Sequence, residues 1–199
     1  MQMGSGACGI DPEFMGSRPI YTPDDSCSFC YEDDPDCTFP DGGMVGSVVG
    51  SHVDNFIMRT WDGNPAWFHW DCGCNAKAVM VFLSAGWCGA CERRAADMQA
   101  LFEANGRRGL RVVWVVGETG TRDEAPTAEY MREYHDSKNA TFTIVWDNHW
   151  AWVQRYIDPS ASGNSLPRQY VLRGDNMKMV YAGSDWDAAN EAMNALLDE

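Results

Sequence analysis

Two cysteines three positions apart, Cys88 and Cys91, stand in the run Trp87-Cys88-Gly89-Ala90-Cys91. That spacing suits thiol–disulfide exchange. The attacking species in such exchange is a thiolate, and a cysteine at the start of a helix is stabilised as an anion by free backbone N–H groups and the helix dipole. This placement lowers a thiol pKa from about 8.5 toward 7 or below. Cys91 falls one helical turn on, where it can close a ring with Cys88 or displace a substrate held in a mixed disulfide. The chemistry asks for asymmetry, with Cys88 exposed as nucleophile and Cys91 shielded as resolving thiol. A purely structural disulfide and half of a zinc site are the other readings of such a pair. Both are disfavoured, because the pair follows a buried-strand pattern, is preceded by Trp87 and opens an amphipathic helix.

The elements that must position this pair are readable around it. Val79–Leu83 is an apolar run of strand length, and Ala85-Gly86 is a turn. The following helix carries Cys91, Ala95, Met98 and Phe102 on one stripe and stops at Asn105-Gly106. Val112–Val116 predicts the next strand, Pro126–His135 a helix with proline in its first turn, Thr141–Trp146 a strand, and Trp150–Tyr156 a short helix. Gln169–Leu172 and Met177–Tyr181 predict a hairpin around Gly174-Asp175. Asp185–Leu197 predicts a last helix with Ala189, Met193, Leu196 and Leu197 on one face. Upstream, Phe56–Thr60 and Ala66–Trp70 flank Asp62-Gly63-Asn64-Pro65, which predicts another hairpin. Strands alternating with helices imply an α/β chain, a mixed sheet covered on both faces.

With these residues in place, the run Val79–Cys91 resembles the strand, Trp-Cys-Gly-x-Cys site and helix of the thioredoxin superfamily. Ser165-Leu166-Pro167, just before the strand at Gln169, resembles that family's cis-proline segment. Val53-Asp54-Asn55-Phe56 and Trp61-Asp62-Gly63 resemble the entry hairpin of its TlpA/ResA-like and peroxiredoxin-like branch. The resemblance covers about Gly50 to Leu197. It implies a thioredoxin-like three-layer fold and a protein-disulfide reductase or related oxidoreductase, with Cys88 as nucleophile and Cys91 resolving. It further implies a cis Leu166–Pro167 bond and a substrate groove formed by Trp87, Gly89, Ala90, Leu166 and Pro167. No cofactor beyond the redox-active disulfide and no metal is implied. The expected partners are a protein or small-molecule thiol or disulfide and a separate electron partner.

Three departures qualify the resemblance. Phe82 stands where thioredoxin proper carries a buried acid, so proton transfer to Cys91 needs another group or water. Glu118 and Asp147 are candidates, each more simply read as a solvated strand-end acid. Ala90 replaces the usual proline inside the motif. Ser84-Ala-Gly-Trp-Cys88 is not the Thr-x-x-Cys of peroxidatic sites, so peroxidase activity is not expected.

Composition bounds the rest. The chain has 199 residues, eight cysteines, nine tryptophans and a formal net charge of −14. Such an acidic balance argues against nucleic acid as partner. No apolar run is long enough to span a membrane. Residues 1–17 read as an appended tag, 18–50 as a Cys-rich loop arm and 51–199 as the thioredoxin-like domain. Cys8 lies in the tag. Cys27, Cys30, Cys37, Cys72 and Cys74 are candidates for structural disulfides, preferred to a four-sulfur zinc site because Cys72-Gly-Cys74 has one intervening residue where a knuckle wants two. Links from the Cys27–Cys37 arm to Cys72 or Cys74 are expected, and a second redox relay is the less favoured use. So many cysteines point to an extracytoplasmic location, periplasmic or secreted, with a membrane anchor in the native form left open and a cytoplasmic location less favoured. The dispersed His52, His69, His135 and His149 read as ordinary imidazoles. Trp146, Trp150 and Trp152 read as core, and Trp87 as part of the docking surface.

Overall fold

A computed structural model describes residues 45–54, 56–68 and 76–199. The tag, most of the arm and Cys27, Cys30, Cys37, Cys72, Cys74 and His69 lie outside the described residues. The strands are β1 Ile57–Thr60, β2 Pro65–Trp67, β3 Ala78–Ser84, β4 Leu110–Val116, β5 Thr143–Trp146, β6 Arg168–Arg173 and β7 Met179–Gly183. The helices are α1 Gly89–Asn105, α2 Ala128–Lys138, α3 Ala151–Tyr156 and α4 Trp186–Leu197.

The seven strands form one sheet in the order β2-β1-β5-β4-β3-β6-β7. β3, β4 and β5 run parallel, while β1, β2, β6 and β7 pair antiparallel with their neighbours. All seven residues of β3 are buried, as an unbroken apolar run in a doubly covered strand requires. One face carries α2, whose Tyr134 hydroxyl meets Ser84 Oγ and Trp114 Nε1. α1 joins the same layer through the Lys138–Glu92 ion pair, and α4 joins α1 where Arg94 lies over Trp186. On the other face Tyr170, in register with Val81, bonds to Asp158 just beyond α3. The chain is therefore the three-layer, thioredoxin-like α/β fold that its pattern predicts.

Several boundaries differ from the sequence reading, each for a local reason. α1 ends at Asn105 as read, with Gly106 as its C-cap in right-handed conformation. A single 3-10 turn follows to Arg108, and the chain turns at Gly109, whose φ of 107° is left-handed. α2 starts after Thr127, whose side chain accepts the Tyr130 N–H at 3.2 Å, so Pro126 precedes the cap instead of opening the helix. Pro65 begins β2, a three-residue edge strand, the margin where proline's missing donor is tolerated. α4 keeps its predicted buried face, and Asp185 caps it by accepting from the Asp187 and Ala188 N–H groups.

Candidate active site

The site lies where β3 gives way to α1. Ala85-Gly86-Trp87 turns there against the loop that leaves β4. The Gly86 N–H donates to Glu118 O at 3.0 Å and the Trp87 N–H to Thr119 O at 3.1 Å. A Cβ on Gly86 would lie 1.8 Å from the Tyr130 hydroxyl and 2.8 Å from Gly120 N, so this approach of two backbones requires glycine.

Cys88 is the N-cap of α1, and its Sγ accepts the Cys91 N–H at 3.1 Å. Cys88 and Cys91 are disulfide-bonded, with Cα atoms 5.2 Å apart. Gly89 and Ala90 form the first turn between them. Cys91 is fully buried, as expected, with Sγ 3.9 Å from Leu83 O. Cys88 does not match its expected exposure: only 4% of it is accessible. Its sulfur is turned inward over the first turn, toward the Cys91 N–H and Sγ.

Leu166–Pro167 is cis. Because Leu83 pairs with Arg168, Pro167 sits at the end of β3 from which the cysteine loop departs. Trp87 is half-buried and links the two sides. Its indole Nε1 donates to Glu118 Oε2 at 2.6 Å. A Cβ on Gly163, in the turn that leads to Leu166, would lie 3.1 Å from Trp87 Cζ2. Trp87, Gly89 and Ala90 flank Cys88 along the chain, and Leu166 and Pro167 lie at the same end of β3.

The two candidate acids are not solvated. Glu118 is 6% exposed, committed to Trp87 through one oxygen and facing His149 Nδ1 at 3.5 Å through the other. Asp147 is 2% exposed and caps α3, accepting the N–H groups of Trp152 at 3.0 Å and Val153 at 2.8 Å. Burial raises its pKa to about 6, against the opposing pull of those backbone bonds. Asp158 behaves differently. Burial works to raise its pKa, but bonds from Ser160 and Tyr170 and the Arg168 charge outweigh burial and hold it below the ordinary carboxylate range.

Phe82, in place of an acid, stacks on Trp114 with ring centroids 4.3 Å apart. The nearby polar cluster is instead Tyr134, which bonds to Ser84 Oγ and donates to Glu92 Oε1 at 3.3 Å, one residue from Cys91. Burial pushes its phenol well above the usual value, so it stays protonated. Trp150 is core and Trp146 is half-buried, donating to Thr60 O, but Trp152 is 40% exposed and so is not core as read. His52 is fully buried and bonded to Asn176 O, not a surface imidazole.

Sequence reasoning missed Ser84, Tyr134, Thr119 and Arg122. The last places its guanidinium 3.7 Å from the centre of the Trp87 ring. Each of these contacts depends on how loops distant in sequence meet, and spacing carries no signal of it. Among the described residues no group of three or more His, Cys, Asp or Glu is arranged to hold a metal ion, and no helix is long and apolar enough to cross a membrane.

Known proteins resemble this arrangement. The family model described as the AhpC/TSA family matches residues 49–181. No curated protein sequence matches the chain. Among solved structures, an uncharacterised conserved protein from Geobacillus kaustophilus is 17% identical with a TM-score of 0.63, over 77% of this chain and 84% of that one. The thioredoxin domain of a thiol-disulfide oxidoreductase from Bacteroides vulgatus is 14% identical with a TM-score of 0.59, over 76% of this chain and 99% of that one. A pneumococcal exposed lipoprotein thioredoxin from Streptococcus pneumoniae is 18% identical with a TM-score of 0.56, over 73% of this chain and 100% of that one.

Proposed function

The chain belongs to the AhpC/TSA family, and from that membership we propose that it is a thiol–disulfide oxidoreductase working through Cys88 and Cys91. The observation that carries this reading is the pair itself: a disulfide closed across the first turn of α1, with Cys88 at the N-cap. The reduced Cys88 is stabilised as a thiolate by the free N–H groups of that turn.

In the exchange, the Cys88 thiolate attacks one sulfur of a substrate disulfide. A Cys88–substrate bond forms, the substrate S–S bond breaks, and the released thiolate takes a proton. Cys91, deprotonated, then attacks Cys88 Sγ, re-forming the Cys88–Cys91 bond and releasing the second substrate thiol. The substrate gains two electrons and two protons, and the dithiol loses them. A dithiol partner restores the reduced pair by the same steps run backward. Trp87, Gly89, Ala90, Leu166 and Pro167 line the groove that holds the substrate across the sulfurs. The cysteine-rich composition favours an oxidising, extracytoplasmic setting, and the likeness to an exposed lipoprotein thioredoxin is in keeping with it.

The test is a Cys91→Ser variant. It captures substrates as stable mixed disulfides on Cys88, released by dithiothreitol, whereas Cys88→Ser captures none. Equal capture by both variants would refute the assignment. The burial of Cys88 favours one second reading, a permanent structural bond in a binding module. A reduction potential well below about −300 mV would support that reading instead.

A further inference from the structure

The chain as a whole carries −14, yet two guanidinium groups are folded against the residues on either side of the nucleophile. Arg122 lies over the Trp87 ring at 3.7 Å. Arg93 Nη1 reaches back to within 3.8 Å of where a Cβ of Gly89 would be. Both arginines are exposed. Five other basic side chains are paired with carboxylates: Arg94 with Asp97, Arg108 with Asp198, Lys138 with Glu92, Arg168 with Asp158, and Arg173 with Asp175 and Glu199. Among the described residues Arg93 and Arg122 have no such partner.

The nearby acids are occupied. Glu118 is buried and bound to Trp87, Glu92 is held by Lys138 and Tyr134, and Glu124 accepts from Thr119. Asp123 and Glu124 are the exposed acids of the Arg122 loop. A guanidinium held over an indole face keeps N–H donors for a carboxylate, which it can take through two parallel bonds.

We infer that Arg93 and Arg122 are specificity-determining residues that draw disulfides flanked by carboxylates, such as an acidic protein segment, onto Cys88. The inference rests on the exchange reading above and adds the substrate class to it. Net charge alone would favour a basic substrate. An acidic preference therefore has to come from cations close to the sulfur, which makes its sign diagnostic.

The experiment uses the full chain, reduced, and three synthetic disulfide peptides identical except for flanking Asp-Asp, Asn-Asn or Lys-Lys pairs. The rate at which each peptide oxidises the protein is followed at low and at physiological salt. The expected order is Asp, then Asn, then Lys. The Asp peptide should lead the Lys peptide by about tenfold at low salt, two exposed charge pairs being enough for this, with the lead shrinking as salt screens them. In Arg93→Gln/Arg122→Gln the ratio should collapse toward unity, and in Arg93→Glu/Arg122→Glu it should invert. A Lys-first order in the wild type, or an Asp preference that survives both double variants, overturns charge selection while leaving exchange intact. No reaction with any of the three peptides overturns the exchange reading itself.

Discussion

At the residue scale the site is a set of side chains whose partners are already committed. Glu118 has one oxygen on the Trp87 indole, so the ring that borders Cys88 is not free to swing. Glu118→Ala leaves that indole N–H without its acceptor, at a cost of about 1 kcal/mol in stability. It should also slow exchange at Cys88, while Glu118→Gln, which retains an acceptor oxygen, should restore most of both. Urea unfolding and peptide-disulfide turnover read the two effects, and equal losses in both variants would sink the anchoring role. Phe82 makes the complementary point. Its stack on Trp114 occupies the place where thioredoxin proper carries an acid. Phe82→Asp removes a core ring and buries a charge, so a loss of about 4 kcal/mol or more is expected on denaturant unfolding. The cysteines, Trp87 and the proline were legible in the sequence because their chemistry is local. Arg122 over Trp87 was not, because those residues are brought together only when the loop after β4 closes on the turn after β3.

At the element scale, the strands and helices follow from apolar periodicity, and what the sequence left open was how they end. α1 stops at Asn105-Gly106 as its sequence suggests, but a 3-10 turn follows and the positive φ that a turn needs falls on Gly109. Asp147 looked like a solvated strand end but serves α3, a helix too short to stand on its own. This has a consequence for pH. An acid whose folded pKa is raised holds its proton more tightly in the folded state, so its contribution is most favourable below the unfolded value of 3.8 and is lost as pH rises through about 6. The loss across that window is about 3 kcal/mol. Asp147→Asn keeps a capping oxygen and removes the charge. Its unfolding free energy should therefore fall less than that of the wild type as pH rises through this window, and parallel curves would contradict the assignment. Gly117 tests the same junction from the other side. A Cβ there would lie 2.0 Å from Trp150 Cε2, so Gly117→Ala should cost at least about 2 kcal/mol by forcing the indole from its seat.

At the scale of the whole molecule, the described residues draw their stability from the covered sheet more than from the Cys88–Cys91 bridge. The Cys88–Cys91 bond closes a ring of a few residues, and such a small loop contributes about 2 kcal/mol at most through chain entropy. The Cys88→Ser/Cys91→Ser double variant should keep its far-UV circular dichroism and a cooperative transition, as the proposed exchange requires. The two margins of the sheet carry a different consequence. β2 opens with Pro65 and is only three residues long, and the start of β7 is engaged by the Gly50 N–H on Met179 O and by the Met179 N–H on Ser51 O. Little ladder is left on either side for a stranger's backbone to extend. Protein prepared at high concentration should accordingly resist edge-to-edge stacking into fibres.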